Sequence, residues 1–256
     1  MEKPADPAHS APGAGLVRRH RLPVRLWHWL NALCVILLFM SGLNIFNAHP
    51  RLYWGEFGAN ADAAWLDLTR GDGAAAMPGW LTIPSSYSLS RARIWHLALA
   101  WPLAAGLTLY LGWALASGEL RRRLHIRRAE WAPRHLAREI IDHARLRLPT
   151  GEAAANYNTL QKLAYGGVIF GLLPLMIATG LAMSPAMDAG WPWLTLWLGG
   201  RQTARSVHFI CAWGLAAFLA LHLAMVLIAG PVNELRGMVT GWYRLPRARG
   251  GEEADG

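Results

Sequence analysis

The amino-acid sequence predicts an all-α integral membrane protein built as a bundle of four transmembrane helices. Four apolar stretches are each long enough to cross a bilayer core about 30 Å thick, and none of them contains Asp, Glu, Lys or Arg. They cover residues 27–48, 94–117, 163–183 and 206–229. The composition agrees, because 54% of the 256 residues are hydrophobic and only 16% are charged, whereas soluble domains carry about 25% charged residues.

The segments that flank and connect these stretches differ strongly in charge. Both tails and the loop between the second and third stretches carry 19 of the 25 Lys and Arg residues. Cytoplasmic loops are enriched in Lys and Arg, so this bias predicts a multi-pass membrane protein with both termini in the cytoplasm. Five arginines between 121 and 128 are expected to anchor the chain at anionic lipid, with a specific docking surface as the alternative. The net charge of +9 is therefore attributed to the cytoplasmic segments of a membrane protein, and no nucleic acid partner is expected.

The individual segments support this organisation. The first stretch is interpreted as an uncleaved span, because its apolar run is longer than the roughly 7–15 residues of a signal-peptide core and no convincing cleavage site follows it. Pro102 and Pro174 lie inside the second and third stretches and are expected to kink them. The membrane domain is predicted over residues 17–245, with disordered tails at 1–16 and 246–256.

Four of the ten histidines lie within the spans or at their starts, namely His28, His96, His208 and His222. An ionisable residue within a span is a functional hypothesis by default. His208 and His222 are 14 residues apart, which places them about 40° apart on the helix face and roughly 21 Å apart along the axis. With the predicted helix directions, His28 and His222 fall at the inner level of the membrane, and His96 and His208 fall at the outer level.

Two histidines at each of two levels are typical of bis-histidine haem ligation. Haem iron takes one imidazole on each face, and the absence of an open position favours electron transfer. A zinc site would need three or four ligands at one point, whereas these histidines lie at two separate levels. A proton relay would use carboxylates along its path, and the spans contain none. With two Cys in the chain, a disulfide scaffold and a Cys-rich metal module are excluded. The pattern predicts two haem groups, with iron ligands His28 and His222 inside and His96 and His208 outside.

Three arginines each precede a candidate ligand by three residues. They are Arg25, Arg93 and Arg205. This spacing places the arginine and the histidine on one helix face, where a guanidinium can pair with a haem propionate. The alternative is that these arginines only anchor the helix ends.

The sequences RLWHW at the first span, RIWH at the second and H-x13-H in the fourth, with a third span free of His, resemble the di-haem cytochrome b subunits of bacterial respiratory complexes. This is the cytochrome b561 group of hydrogenase, formate dehydrogenase and thiosulfate reductase cytochromes, and the resemblance covers about residues 17–245. It implies a four-helix bundle with two b haems that anchors a catalytic subunit and reacts with quinone. It also implies the same two ligand pairs.

Two further segments resemble elements of the family. Asn158 and Gln161 match an Asn-x-x-Gln-Lys element near the inner haem and are expected to bind a quinone carbonyl; a helix cap is the alternative. The segment 49–55 is most similar to the thiosulfate-reductase-type branch, whose partners are molybdopterin enzymes. The hydrogenase branch is less favoured, because loop 49–93 contains no Cys.

The expected function is electron transport across the inner membrane between the quinone pool and a periplasmic, molybdopterin-dependent oxidoreductase. In that role the chain is an electron-transfer subunit of an oxidoreductase complex, and no catalytic residue is assigned to it. The alternative is a stand-alone membrane quinone oxidoreductase that exchanges electrons with a small oxidant at the outer haem. A transporter is disfavoured, because the spans show neither inverted repeats nor an intramembrane carboxylate.

Overall fold

The computed structural model describes residues 15–145 and 156–245. In chain order, the strands and α-helices in this part of the protein are β1 (Leu16–Arg18), α1 (Leu22–Phe46), β2 (Arg51–Leu52), β3 (Leu66–Asp67), α2 (Leu89–Ala116), α3 (Glu119–Leu124), α4 (Pro133–Ala144), α5 (Thr159–Gly166), α6 (Leu173–Ala182), α7 (Pro185–Gly190), α8 (Pro192–Trp197), α9 (Arg201–Ala229), α10 (Pro231–Thr240) and β4 (Trp242–Arg244). Short 3-10 turns cover Gly79–Leu81 and Arg128–Trp131. The predicted tails lie outside the described residues except for residues 15 and 16, and Leu16 already belongs to β1.

In the part of the chain that the structure describes, four helical segments are long and apolar enough to cross a membrane, which confirms the predicted all-α membrane fold. They are Leu22–Phe46, Leu89–Ala116, Thr159–Ala182 and Arg201–Ala229. Each begins four or five residues before the predicted apolar stretch, because the first helical turns contain charged or polar residues that an apolarity criterion excludes. Large apolar side chains such as Leu97, Leu109 and Leu221 are exposed along these segments, as expected for a surface that contacts lipid.

The third span is not a uniform α-helix. Between α5 and α6 the segment Gly167–Leu172 is π-helical, and it is followed by Pro174 in the first turn of α6. Proline has no N–H to donate to the preceding turn, and a local π-bulge is one way in which a helix accommodates such a break. By contrast, α2 continues as one α-helix through Pro102.

The described chain divides into two compact units. The first comprises residues 15–28, 110–145, 156–166 and 220–245. In it β1 pairs antiparallel with β4, so that Val17 lies opposite Tyr243. The buried Arg19 donates to the carboxylate of Glu234 at 2.9 Å, and its guanidinium lies 4.4 Å from the centre of the Tyr243 ring. The start of the described chain is thus held to its end by a strand pair and an ion pair.

The second unit comprises Trp29–Leu109 and Gly167–Leu219. Cys34 and Leu38 of α1 pack with Leu103 of α2 in its apolar core. Small polar side chains are also fully buried in this unit, among them Ser41 and Thr179. Because a buried hydroxyl requires a hydrogen-bond partner, these residues point to specific polar contacts between the helices of the unit.

Candidate functional site

Each unit contains one pair of histidines that come from different spans. In the second unit, the ring centres of His96 on α2 and His208 on α9 are 6.2 Å apart, with an interplanar angle of 59°. In the first unit, His28 on α1 and His222 on α9 are also 6.2 Å apart, with an angle of 60°. The four histidines selected from the sequence are therefore brought together as two pairs with nearly the same geometry.

The spacing within each pair fits two imidazoles that bind one metal ion from opposite sides. A metal–imidazole bond is about 2.0–2.1 Å and the ring centre lies about 1.1 Å beyond the nitrogen, so two opposed ligands have ring centres roughly 6.2–6.4 Å apart. Among residues 15–145 and 156–245, no group of three or more His, Cys, Asp or Glu side chains gathers as a metal site. A pair of this kind suits haem iron, whose remaining ligands come from the macrocycle.

Hydroxyl groups on neighbouring helices orient the second-unit pair. Ser41 Oγ lies 2.9 Å from His96 Nδ1 and donates its own proton to the carbonyl of Leu38. The Ser41 oxygen can therefore only accept a hydrogen bond from His96, which places the imidazole proton on Nδ1 and leaves Nε2 free to bind metal. Thr179 makes the equivalent contact with His208.

Two glycines provide room for the same imidazoles. A Cβ atom on Gly42 would lie 3.4 Å from His96 Cε1, and one on Gly180 would lie 3.5 Å from His208 Cε1. Each glycine directly follows the hydroxyl residue that contacts the same histidine. Sequence reasoning did not identify Ser41, Thr179 or Gly180, although a hydroxyl–glycine dipeptide in both the first and the third span is a readable signal.

The arginines predicted as propionate partners occupy different environments. Arg25 donates to the carbonyl of Val239, and Arg205 donates to the carbonyl of His49. Arg93 is exposed. For Arg25 and Arg205 part of the guanidinium is therefore already used in binding the backbone, and pairing of the three arginines with propionates stays a prediction.

The predicted quinone residues form the start of α5. Asn158 Oδ1 accepts from the backbone N–H of Gln161 at 2.8 Å, and Gln161 Oε1 accepts from the backbone N–H of Asn158 at 3.3 Å. This reciprocal arrangement is a capping box, which the sequence analysis keeps open as the alternative. Asn158 Nδ2 also lies 3.1 Å from His143 Nε2, and Glu139 accepts from the N–H of Thr159 and of Leu160.

Comparison with known proteins places the chain in a family. The family model for prokaryotic cytochrome b561 matches residues 19–241. The chain is 30% identical to a protein of Azospira oryzae named as the YedZ1 subunit of a protein-methionine-sulfoxide reductase, over 79% of this chain and 87% of that protein. It is 25% identical to a protein of Cupriavidus necator named as a B-type cytochrome subunit of a Ni/Fe-hydrogenase, over 87% and 85% of the two chains. It is 29% identical to cytochrome YdhU of Escherichia coli, over 86% and 72%.

The family match covers the helices that carry both histidine pairs. The family implies haem b as the cofactor, and the paired imidazoles are suitable ligands for it. Together with its four membrane-spanning segments, this makes the chain a multi-pass membrane electron-transfer subunit of an oxidoreductase system. It belongs to the prokaryotic cytochrome b561 family.

Proposed function

We propose that this chain carries electrons across the bacterial inner membrane between the quinone pool and a periplasmic oxidoreductase, using two b haems. The observation that carries the proposal is the presence of one histidine pair in each unit, both with ring centres 6.2 Å apart. One pair would serve a single haem. Two pairs, predicted from the loop charges to lie at opposite membrane levels, suit electron transfer across the bilayer.

His28 with His222, and His96 with His208, would each hold one haem iron through their imidazole nitrogens. Haem b supplies reversible one-electron chemistry when it is bound. Because two imidazoles would hold each iron, the site would favour electron transfer over binding of a small oxidant. Ser41 and Thr179 would hold His96 and His208 in the tautomer that ligates through Nε2.

Quinone would react at the inner side, where the chain offers Asn158 and Gln161. The two amide oxygens already accept hydrogen bonds in the capping box, so a quinone carbonyl would have to use an amide N–H. An Asn158→Asp variant keeps a good capping residue and removes the Nδ2 donor. If Asn158 binds quinone, this variant slows quinol oxidation while the haem spectrum stays unchanged.

The periplasmic partner is proposed to be a molybdopterin-dependent oxidoreductase. The relatives support a catalytic partner in general, because the names of two of them denote subunits of a hydrogenase and of a protein-methionine-sulfoxide reductase. Affinity purification of the full chain from its native membrane tests the assignment. Co-purification of a molybdenum-containing subunit supports it, whereas a haem protein that purifies alone and still oxidises quinol favours the stand-alone oxidoreductase.

The haem content tests the central claim directly. Purified full-length protein is expected to hold two b haems per chain, measured as the haem-to-protein ratio. His208→Ala and His222→Ala should each remove one haem, and His125→Ala, which changes an exposed histidine, should remove none. A wild-type ratio near one, or the loss of both haems in each single variant, would contradict two independent sites.

The orientation of the chain in the membrane is tested by a separate measurement. With both termini in the cytoplasm, a C-terminal fluorescent-protein fusion is expected to be bright and a C-terminal alkaline phosphatase fusion inactive. The same reporters placed in the loop at 49–93 should give the reverse result. An active C-terminal phosphatase would exchange the two predicted membrane levels and would reverse the assignment of inner and outer haems.

A further inference from the structure

A basic cavity of about 720 Å³ lies in the first unit, and neither His28 nor His222 lines it. Its wall is formed largely by arginines from two parts of the chain, with one acidic residue among them. The charged lining residues are Arg18, Arg19, Arg21, Glu119, Arg122 and Arg123. A cavity with this lining is suited to an anion.

The single carboxylate leaves the cavity with excess positive charge. Glu119 is only 4% exposed and lies between three guanidiniums, at 2.8 Å from Arg122, 3.4 Å from Arg123 and 3.7 Å from Arg21. Arg19 is already neutralised by Glu234. The side chains of Arg21 and Arg122 are 48% and 50% exposed, so they can reach a ligand while Glu119 holds them near the cavity.

Apart from Asn156, the rest of the wall is apolar, and most of it lies at the ends of two membrane spans. Leu22 is the first residue of α1 and is followed by Pro23, while Trp113 lies in the last turn of α2. Tryptophan favours the boundary between membrane and water. Asn156 adds an amide that can donate a hydrogen bond. A basic cavity with an apolar wall at the end of a membrane span fits the phosphate and glycerol region of a phospholipid.

We propose that this cavity binds the phosphodiester headgroup of an anionic membrane lipid of the phosphatidylglycerol type. Guanidinium groups bind phosphate oxygens in a bidentate manner, and basic pockets between transmembrane helices on the cytoplasmic side suit anionic headgroups. Arg21 and Arg122 contact the phosphate, and Glu119 positions both of them. The acyl chains leave the cavity past Leu22 and Trp113. This proposal does not depend on the haem assignment.

The test uses detergent-purified full-length protein and short-chain lipids. Native mass spectrometry measures the binding of dihexanoyl-phosphatidylglycerol, dihexanoyl-phosphatidylcholine and inorganic phosphate. We expect one tightly bound phosphatidylglycerol and much weaker binding of the other two. An Arg near anionic lipid contributes about a fivefold gain in affinity, so Arg21→Gln/Arg122→Gln should bind phosphatidylglycerol about 25-fold more weakly.

Matched variants separate the cavity from general surface charge. Arg134→Gln/Arg138→Gln removes the same charge from exposed positions on α4 and should bind as wild type does. Arg18→Gln leaves the contacts of Glu119 intact and should still weaken binding about fivefold, which covers the case in which the double variant folds poorly. Unchanged affinity in both cavity variants, or equally tight phosphatidylcholine binding, overturns the proposal. Equally tight binding of inorganic phosphate would make the cavity a free-phosphate site and overturn the lipid assignment.

Discussion

Thr179 Oγ1 lies 2.9 Å from His208 Nδ1, and the direction of this hydrogen bond is set by the helix that carries the threonine. Thr179 Oγ1 is also 2.7 Å from the carbonyl of Leu175 on its own helix. A hydroxyl has a single proton, and the carbonyl can only accept it, so the oxygen must accept from His208. The same logic applies to Ser41 and His96, which gives both second-unit histidines one tautomer.

We predict that Thr179→Val raises the reduction potential of the haem that His208 is proposed to bind. Loss of the hydrogen-bonded acceptor makes the imidazole a weaker electron donor and so stabilises ferric iron less. Removing an outer-shell partner typically costs 10–100-fold in metal affinity, and a tenfold change in one redox state corresponds to about 59 mV. Spectroelectrochemical titration should therefore show a rise of roughly tens of mV in one haem only.

Thr108→Val provides the control for this measurement. Thr108 also lies in a span, but its hydroxyl is exposed and donates to the carbonyl of Ala104 on its own helix, so both potentials should stay unchanged. Equal shifts of both haems in Thr179→Val, or no shift in either, would remove the positioning role assigned to Thr179.

The histidine pairing was predictable from the sequence, but the hydroxyl contacts were not. Span directions from loop charge and the helical repeat place His28 with His222 and His96 with His208. The rotation of each helix about its axis decides whether Ser41 reaches His96, and α1 is apolar on nearly all sides, so its composition does not specify that rotation. Buried hydroxyls in helices also donate hydrogen bonds to carbonyls of their own helix. A sequence therefore does not show whether such a hydroxyl contacts a histidine as well.

The short strands were missed for a different reason. β1 and β4 contain three residues each, which is too short for the alternation that identifies a strand. Their pairing joins residues more than 200 positions apart, such as Val17 and Tyr243. For Asn158 and Gln161 the sequence is compatible with both a helix cap and a ligand site, and in the fold the two amides form a capping box.

We predict that Gly180→Leu removes the haem proposed for the second unit, whereas Gly180→Ala keeps it. The Cβ of alanine would make ordinary van der Waals contact with His208 Cε1 at 3.5 Å, and a larger side chain would displace the imidazole. The haem-to-protein ratio should fall from two to one in Gly180→Leu. Gly112→Leu is the control, because a Cβ at Gly112 meets nothing within 4 Å. A full haem complement in Gly180→Leu would show that this close contact does not constrain the site.

We predict that Glu234→Gln destabilises the first unit by about 2–4 kcal/mol. The Arg19 side chain is 8% exposed and that of Glu234 is 21% exposed, and removing one member of a buried pair leaves an uncompensated charge. The exposed pair Arg70–Asp72 is the control, since solvent screens both charges and Asp72→Asn should leave the free energy of unfolding nearly unchanged. Denaturant titration in detergent micelles measures both. Equal effects of the two variants would contradict a special role for the Arg19–Glu234 pair.

The buried His20 predicts a pH dependence of stability. Burial and the neighbouring Arg19 lower the pKa of His20 from 6.5 to about 3, so the folded chain keeps this imidazole neutral while the unfolded chain protonates it below about pH 6.5. The stabilisation from neutral His20 is therefore complete above pH 6.5 and declines as the pH falls toward 3, at up to about 1.4 kcal/mol per pH unit.

His20→Phe retains an aromatic ring that can stack on Tyr157, as His20 does, and it cannot titrate. Between pH 7 and pH 5.5 the wild type should lose about 1 kcal/mol more of its free energy of unfolding than His20→Phe does. Parallel stability profiles of the two proteins over this range would mean that His20 is protonated in the folded chain and that its buried environment does not exclude the charge.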